Sequence, residues 1–114
     1  MAEPYLTEIK LVIERALGEI EGANGVVCKH FFSGAAAYMD GQIFMSLSPV
    51  GLALKLPPEK RDELFAQGGS ALRYFPKAPV KKGYVVLPKN LVEDDLSLKN
   101  LIVQSLQFAI PDTV

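Results

Sequence analysis

A chain of 114 residues, 49% apolar and 22% charged, has globular composition, which excludes a disordered, fibrous or low-complexity protein. Its net charge of -1 excludes a global field that would draw it to DNA or anionic lipid, so an electrostatic partner must be met by a local patch. Cys28, the sole cysteine, excludes an intramolecular disulfide and a thiolate metal cluster.

The length suits one domain spanning residues 1–114, large enough to bury an ordinary core without staples. The start, Met1-Ala2-Glu3-Pro4, lacks the basic and apolar runs of a signal peptide, and no apolar stretch reaches the roughly 20 residues that span a bilayer. Together with the lone cysteine, these features place the chain in the cytoplasm.

The first predicted element is an amphipathic helix from about Pro4 to Glu21. Leu6, Ile9, Val12, Ile13, Ala16, Leu17 and Ile20 recur at spacings of three and four and share one face. Pro4 suits the first turn, and Gly22 with Asn24-Gly25 ends the helix.

The middle of the chain is β. Val26 to Phe32 is β-branched and aromatic, and either joins the first strand or leads into it. Ala35 to Met39 and Gln42 to Leu47 flank Asp40-Gly41, the strongest hairpin signal present, because a type I′ turn needs φ > 0 at both central residues. Leu52, Leu54 and Leu56 alternate with Ala53 and Lys55, which predicts a half-buried strand with one leucine face.

Pro57-Pro58 stops that strand. A short helix follows from Glu59 to Gln67, with Leu64 and Phe65 as its buried residues and Gly68-Gly69 closing it. Leu72 to Phe75 and Gly83 to Leu87 read as strands, separated by a loop with two prolines and three lysines. Asp95 or Ser97 caps a closing helix with an apolar stripe of Leu98, Leu101, Ile102, Leu106 and Ala109, terminated by Pro111. The order α-β-β-β-α-β-β-α, with hairpin connections, predicts an α+β fold. Its two layers are a five-stranded antiparallel sheet and helices on one side.

The sequence offers no constellation for catalysis or metal binding. Cys28 and His30 would share a strand face, but two ligands fall short of a zinc site and no third group orients a Cys–His pair. Ser33 stands at an odd offset from His30, and no Gly-x-Ser-x-Gly elbow is present. Glu93-Asp94-Asp95 precedes a helix, where carboxylates complement the dipole. Gly68-Gly69-Ser70 lacks the spacing of a phosphate loop. The residues therefore imply neither an enzyme nor a cofactor.

One segment stands apart. Between Glu63 and Glu93 there is no acidic residue, while Arg73, Lys77, Lys81, Lys82 and Lys89 carry five positive charges, with Tyr74, Phe75 and Tyr84 interleaved. Cationic and aromatic residues together compose a surface for nucleic acid or an acidic partner. The competing explanation is a solvated loop whose lysines keep an edge strand from aggregating. Arg73, Lys77, Lys81, Lys82, Tyr84 and Lys89 are accordingly the candidate partner-binding residues.

Four stretches, in order, carry a family resemblance. They are Phe32-Ser33-Gly34-Ala35 running on to Phe44, Gly51-Leu52-Ala53-Leu54-Lys55-Leu56-Pro57, Tyr74 with Lys82-Gly83-Tyr84-Val85-Val86-Leu87-Pro88, and the Leu-rich Leu98 to Ala109. About two-thirds of the chain thereby resembles the N-terminal domain of the TfoX (Sxy) bacterial competence regulators, with Gly-Tyr-Val-x-Leu-Pro the most specific piece. Ser33 departs from a glycine of the family's Phe-Gly-Gly turn. The Leu52 to Glu63 stretch also looks like the YjbR-type domains.

The resemblance implies a secretion-chaperone-like α+β sandwich and brings no catalytic residues. In longer TfoX proteins the domain precedes a helix-hairpin-helix-like domain and acts with a catabolite-responsive transcription factor. The expectation is thus a standalone, non-enzymatic regulatory or protein-interaction domain. Direct nucleic-acid binding through residues 73–89 is the first alternative, and a small-molecule-binding domain the second. A homodimer is compatible with all three.

Overall fold

The computed structural model describes residues 3–17, 26–31, 34–73, 77 and 79–109. The spacing of apolar residues after Pro4 produces α1 (Glu3–Leu17), which buries Ile9 and Ile13 and packs Tyr5, Leu6 and Val12 beside them. Its expected continuation to Glu21, with the stop at Gly22, lies outside the described residues.

Five strands follow: β1 (Val26–Phe31), β2 (Gly34–Met39), β3 (Gln42–Ser48), β4 (Gly51–Lys55) and β5 (Tyr84–Val86). They lie in chain order and every neighbouring pair is antiparallel. α2 (Pro58–Ala66) interrupts the meander before β5, and α3 (Lys89–Val92) and α4 (Asp95–Ala109) close the chain. The expected five-stranded antiparallel sheet with helices is the fold observed.

Turn chemistry fixes the central hairpin. Asp40 and Gly41 have φ of 52° and 78°, the double positive φ of a type I′ turn, and Met39 pairs with Gln42 around them. Beyond the turn, Tyr38 faces Ile43 while Ala37 faces Met45, so Phe44 is the extra residue of a β-bulge. The bulge carries Phe44 and Met45 together into the core.

The main core lies between the sheet and the helices. Ala35, Ala37, Met39, Leu52, Leu54, Leu56 and Val85 meet Ile9, Ile13, Leu64, Leu98, Leu101 and Ile102 there. Ser105, on the same stripe of α4, is fully buried. Its hydroxyl shares its proton between the carbonyl oxygens of Phe44 and Lys55, at 2.8 and 2.7 Å. That contact satisfies the bulge backbone from the helix layer.

Several local expectations are corrected. Ala53 is as buried as the leucines that flank it, because the outer sheet face carries a second, smaller cluster of Ala53, Leu72 and Tyr84. Phe65 is 40% exposed, since the short α2 turns only Leu64 inward. Leu72 and Arg73 form no strand, while Tyr74 and Phe75 lie outside the described residues. The segment from Val26 is a strand in its own right, at the sheet edge.

At the last helix, Asp95 is the first helical residue and Asp94 stands before it. The Asp94 carbonyl accepts from the Leu98 amide at 2.9 Å, and its carboxylate accepts from the Ser97 hydroxyl. Pro111, expected to end that helix, lies outside the described residues. No helix among the described residues is long and apolar enough to cross a membrane.

Candidate partner-binding surface

The basic segment begins where α2 ends. Gly69 donates to the Leu64 carbonyl (2.8 Å) and Gly68 to that of Phe65 (3.2 Å), a Schellman closure with Gly68 at φ 106°. A side chain at Gly69 would press within 2.9 Å of the Leu64 oxygen and 3.0 Å of Val85. Only glycine lets the chain drop onto β5 here. Ser70 then exchanges both backbone hydrogen bonds with Val86, at 3.0 and 2.8 Å.

Leu72, fully buried on the outer face against Ala53 and Tyr84, pins the start of the loop. The amide of Lys81 donates to the Leu72 carbonyl at 2.9 Å and closes it. Gly83 accepts from the Leu56 amide at 2.9 Å, which returns the chain to the sheet. The loop is thus held at its neck by backbone bonds and one leucine.

This neck gathers charge. Arg73 follows Leu72, Lys81 bonds back to Leu72, and Lys82 precedes Gly83; all three are exposed, as is Lys77 in the loop. Lys55, paired with Tyr84 across the ladder, lays its aliphatic stem against Gly83 and adds a cation that the sequence reading did not include. The signal was available: strand alternation turns Lys55 to the face opposite the leucines. Among the described residues, no ion pair engages Lys55, Lys77, Lys81 or Lys82.

Two candidates part from the group. Tyr84 is 7% exposed and belongs to the outer cluster, so its ring is packing and not a platform. Lys89 stands past the opposite end of β5, at the start of α3, with Glu93 at 3.9 Å. The cationic group is therefore Arg73, Lys77, Lys81 and Lys82 with Lys55.

The other motifs resolve into structure. Cys28 is half-buried on β1 against the main core, and His30, on the same strand face, is exposed. Burial pushes the Cys28 thiol up, and the nearby Lys10 charge works in the opposite direction. In the acidic run, Asp95 pairs with Arg15 at 3.1 Å, Asp94 holds Ser97, and Glu93 faces Lys89. Among the described residues no three His, Cys, Asp or Glu side chains group as metal ligands. Ser33 lies outside them.

No curated protein matches the chain. The family model of the TfoX N-terminal domain matches residues 19–109, from ahead of β1 through the end of α4, and so takes in the whole sheet and the basic loop. The chain belongs to the TfoX N-terminal domain family.

Proposed function

We propose that this chain is a non-enzymatic regulatory domain of the cytoplasm that acts by holding a protein partner, in a role related to transcription and competence. The observation that carries the reading is the basic loop. Its neck is closed by buried Leu72 and by the Lys81 to Leu72 backbone bond, which gathers Arg73, Lys81 and Lys82 at one place. Clustered cations without an ion-pair partner are complementary to an acidic surface. Family membership supports a regulatory role.

The test is a pull-down with the intact chain as bait, comparing wild type with Lys81→Glu/Lys82→Glu. Both lysines are exposed, so the double reversal should change folding stability by less than about 0.5 kcal/mol and lose the partner. A control reversal of Lys60 and Lys99, away from the loop, should keep it. Equal capture by both variants refutes the loop as the contact.

The same unpaired lysines favour one second reading, direct binding of nucleic acid. Fluorescence anisotropy with a short duplex at two salt concentrations separates the two. Contact of three or four lysines with phosphates would give a log–log salt slope of about -3. A flat or unmeasurable response leaves the protein partner.

A further inference from the structure

Charge is sorted between the two layers of the fold. The five strands carry no acidic residue, and their charged residues are Lys29 on β1 and Lys55 on β4. Both belong to the sheet face turned away from the helices. Lys29 follows Cys28, which packs on the main core, and Lys55 stands between the core residues Leu54 and Leu56. From Gly34 to Ala109 every acidic residue except Asp40, in the hairpin turn, lies on α2, α3 or α4 or beside their ends. Glu8 and Glu14 lie on α1.

Ion pairing follows the same division. In the helix layer Arg15, Lys60 and Lys89 meet Asp95, Glu63 and Glu93. Among the described residues no ion pair engages Lys29, Lys55, Lys81 or Lys82. The net charge of -1 therefore conceals one acidic side and one basic side.

We propose that the outer side of the sheet, from Lys29 across to Lys55 and the loop neck, is one docking face for an acidic protein surface. The proposal rests on the reading of the basic loop as a contact and extends that contact to the far edge of the sheet. Lys29 and Lys55 stand three strand spacings apart, about 14 Å. Ala36, Ser46 and Ala53, in the row between them, are buried and uncharged. The acidic helix layer behind the sheet turns an acidic partner toward this face and away from the other. Two rings favour a protein over a nucleic-acid strand. Lys29 holds its Nζ 5.6 Å from the centre of the Tyr38 ring, and Tyr84 is buried. Neither ring is left as a platform on which bases stack.

The test measures fluorescence anisotropy of a labelled octaglutamate peptide with wild type, Lys29→Glu, Lys81→Glu/Lys82→Glu and Lys99→Glu. Lys99 is exposed on α4, so its reversal matches the charge change of Lys29→Glu on the opposite layer. Circular dichroism melts confirm that each variant folds. Lys29→Glu and the loop reversal should each weaken binding at least threefold, while Lys99→Glu stays within twofold of wild type. Lys29→Glu at wild-type affinity beside a weakened loop variant overturns the extended face and keeps the loop. A loop variant at wild-type affinity overturns both. Equal weakening by Lys29→Glu and Lys99→Glu shows bulk charge alone and overturns the face. A single-stranded oligonucleotide of equal charge that binds more tightly than the peptide overturns the choice of partner. Wild type that fails to bind the peptide at low salt overturns the face, whereas the loop reading stands or falls on the pull-down.

Discussion

The β1 and β5 edges of the same sheet solve the same problem in opposite ways. Every edge strand offers unpaired backbone groups to any passing chain. At β5 the protein shortens the strand, bonds it to Ser70 and covers the outer face with Leu72. Fixing that cover has a second effect: the lysines that follow Leu72 are displayed at its neck. At β1 the strand is long and regular, and its own lysine turns away onto Tyr38. One edge is closed by a following segment and carries charge outward; the other runs in unbroken register with β2. An edge closed by its own loop becomes a platform for the charges that the loop carries.

The most direct way to break this contrast is to remove the cover. Leu72→Ala empties a fully buried site in the small cluster with Ala53 and Tyr84. The expected loss is about 2–5 kcal/mol. Hydrogen exchange should show the damage concentrated at Ser70, Lys81 and Val86, whose amides bond across the neck. Amides of β2 should lose less. Uniform loss over the sheet would mean that Leu72 supports the whole fold and does not guard one edge in particular.

A second change acts on the hairpin that both edges share. Gly41→Val forces a β-branched residue to φ 78°, although nothing stands within 4 Å of the added Cβ. The cost is then purely conformational, about 1–3 kcal/mol. The denaturation midpoint should fall while exchange at the two edges shifts in parallel. An unchanged midpoint would show that the turn relaxes to another type and does not set the β2–β3 register.

These positions also show how much of the molecule was legible in its sequence. The Asp40-Gly41 turn and the alternating Leu52, Leu54 and Leu56 could be read because their signals are local: a backbone demand and a period of two. Phe65 could not be placed, because a two-turn helix buries only what its neighbours reach. Ala53 and Tyr84 were misassigned for one reason. Period-two alternation marks two faces but does not say that a coil segment will cover the second one.

Ser105 stands outside an apolar stripe because it is polar, although it continues the spacing of Leu98, Leu101 and Ile102. What buries it is the freed carbonyl of a bulge sixty-one residues away. Of the candidate surface, the composition of residues 73–82 was visible from the start. Lys55 joins it only through the β4–β5 ladder, and Lys89 leaves it because β5 intervenes.

The smallest expected effect concerns the thiol on the β1 edge. Burial raises the Cys28 pKa, so the folded chain holds the thiol proton more tightly than the unfolded chain does. A thiol whose folded pKa is raised costs nothing while both states keep it protonated. As pH climbs through the ordinary thiol range the unfolded state ionises first, and stability is lost until the folded thiol ionises as well. The unfolding midpoint of wild type should therefore decline on the alkaline side relative to Cys28→Ser. Around neutral pH the difference between the two should stop changing with pH. Lys10 opposes the shift, so Lys10→Gln should move the thiol further up and slow its alkylation at a given alkaline pH. Helix α1 is the element that lays this charge beside β1, which makes the thiol a reporter of the packing of α1 on β1. Alkylation of Lys10→Gln at the wild-type rate would place Lys10 too far from the strand to act on the thiol.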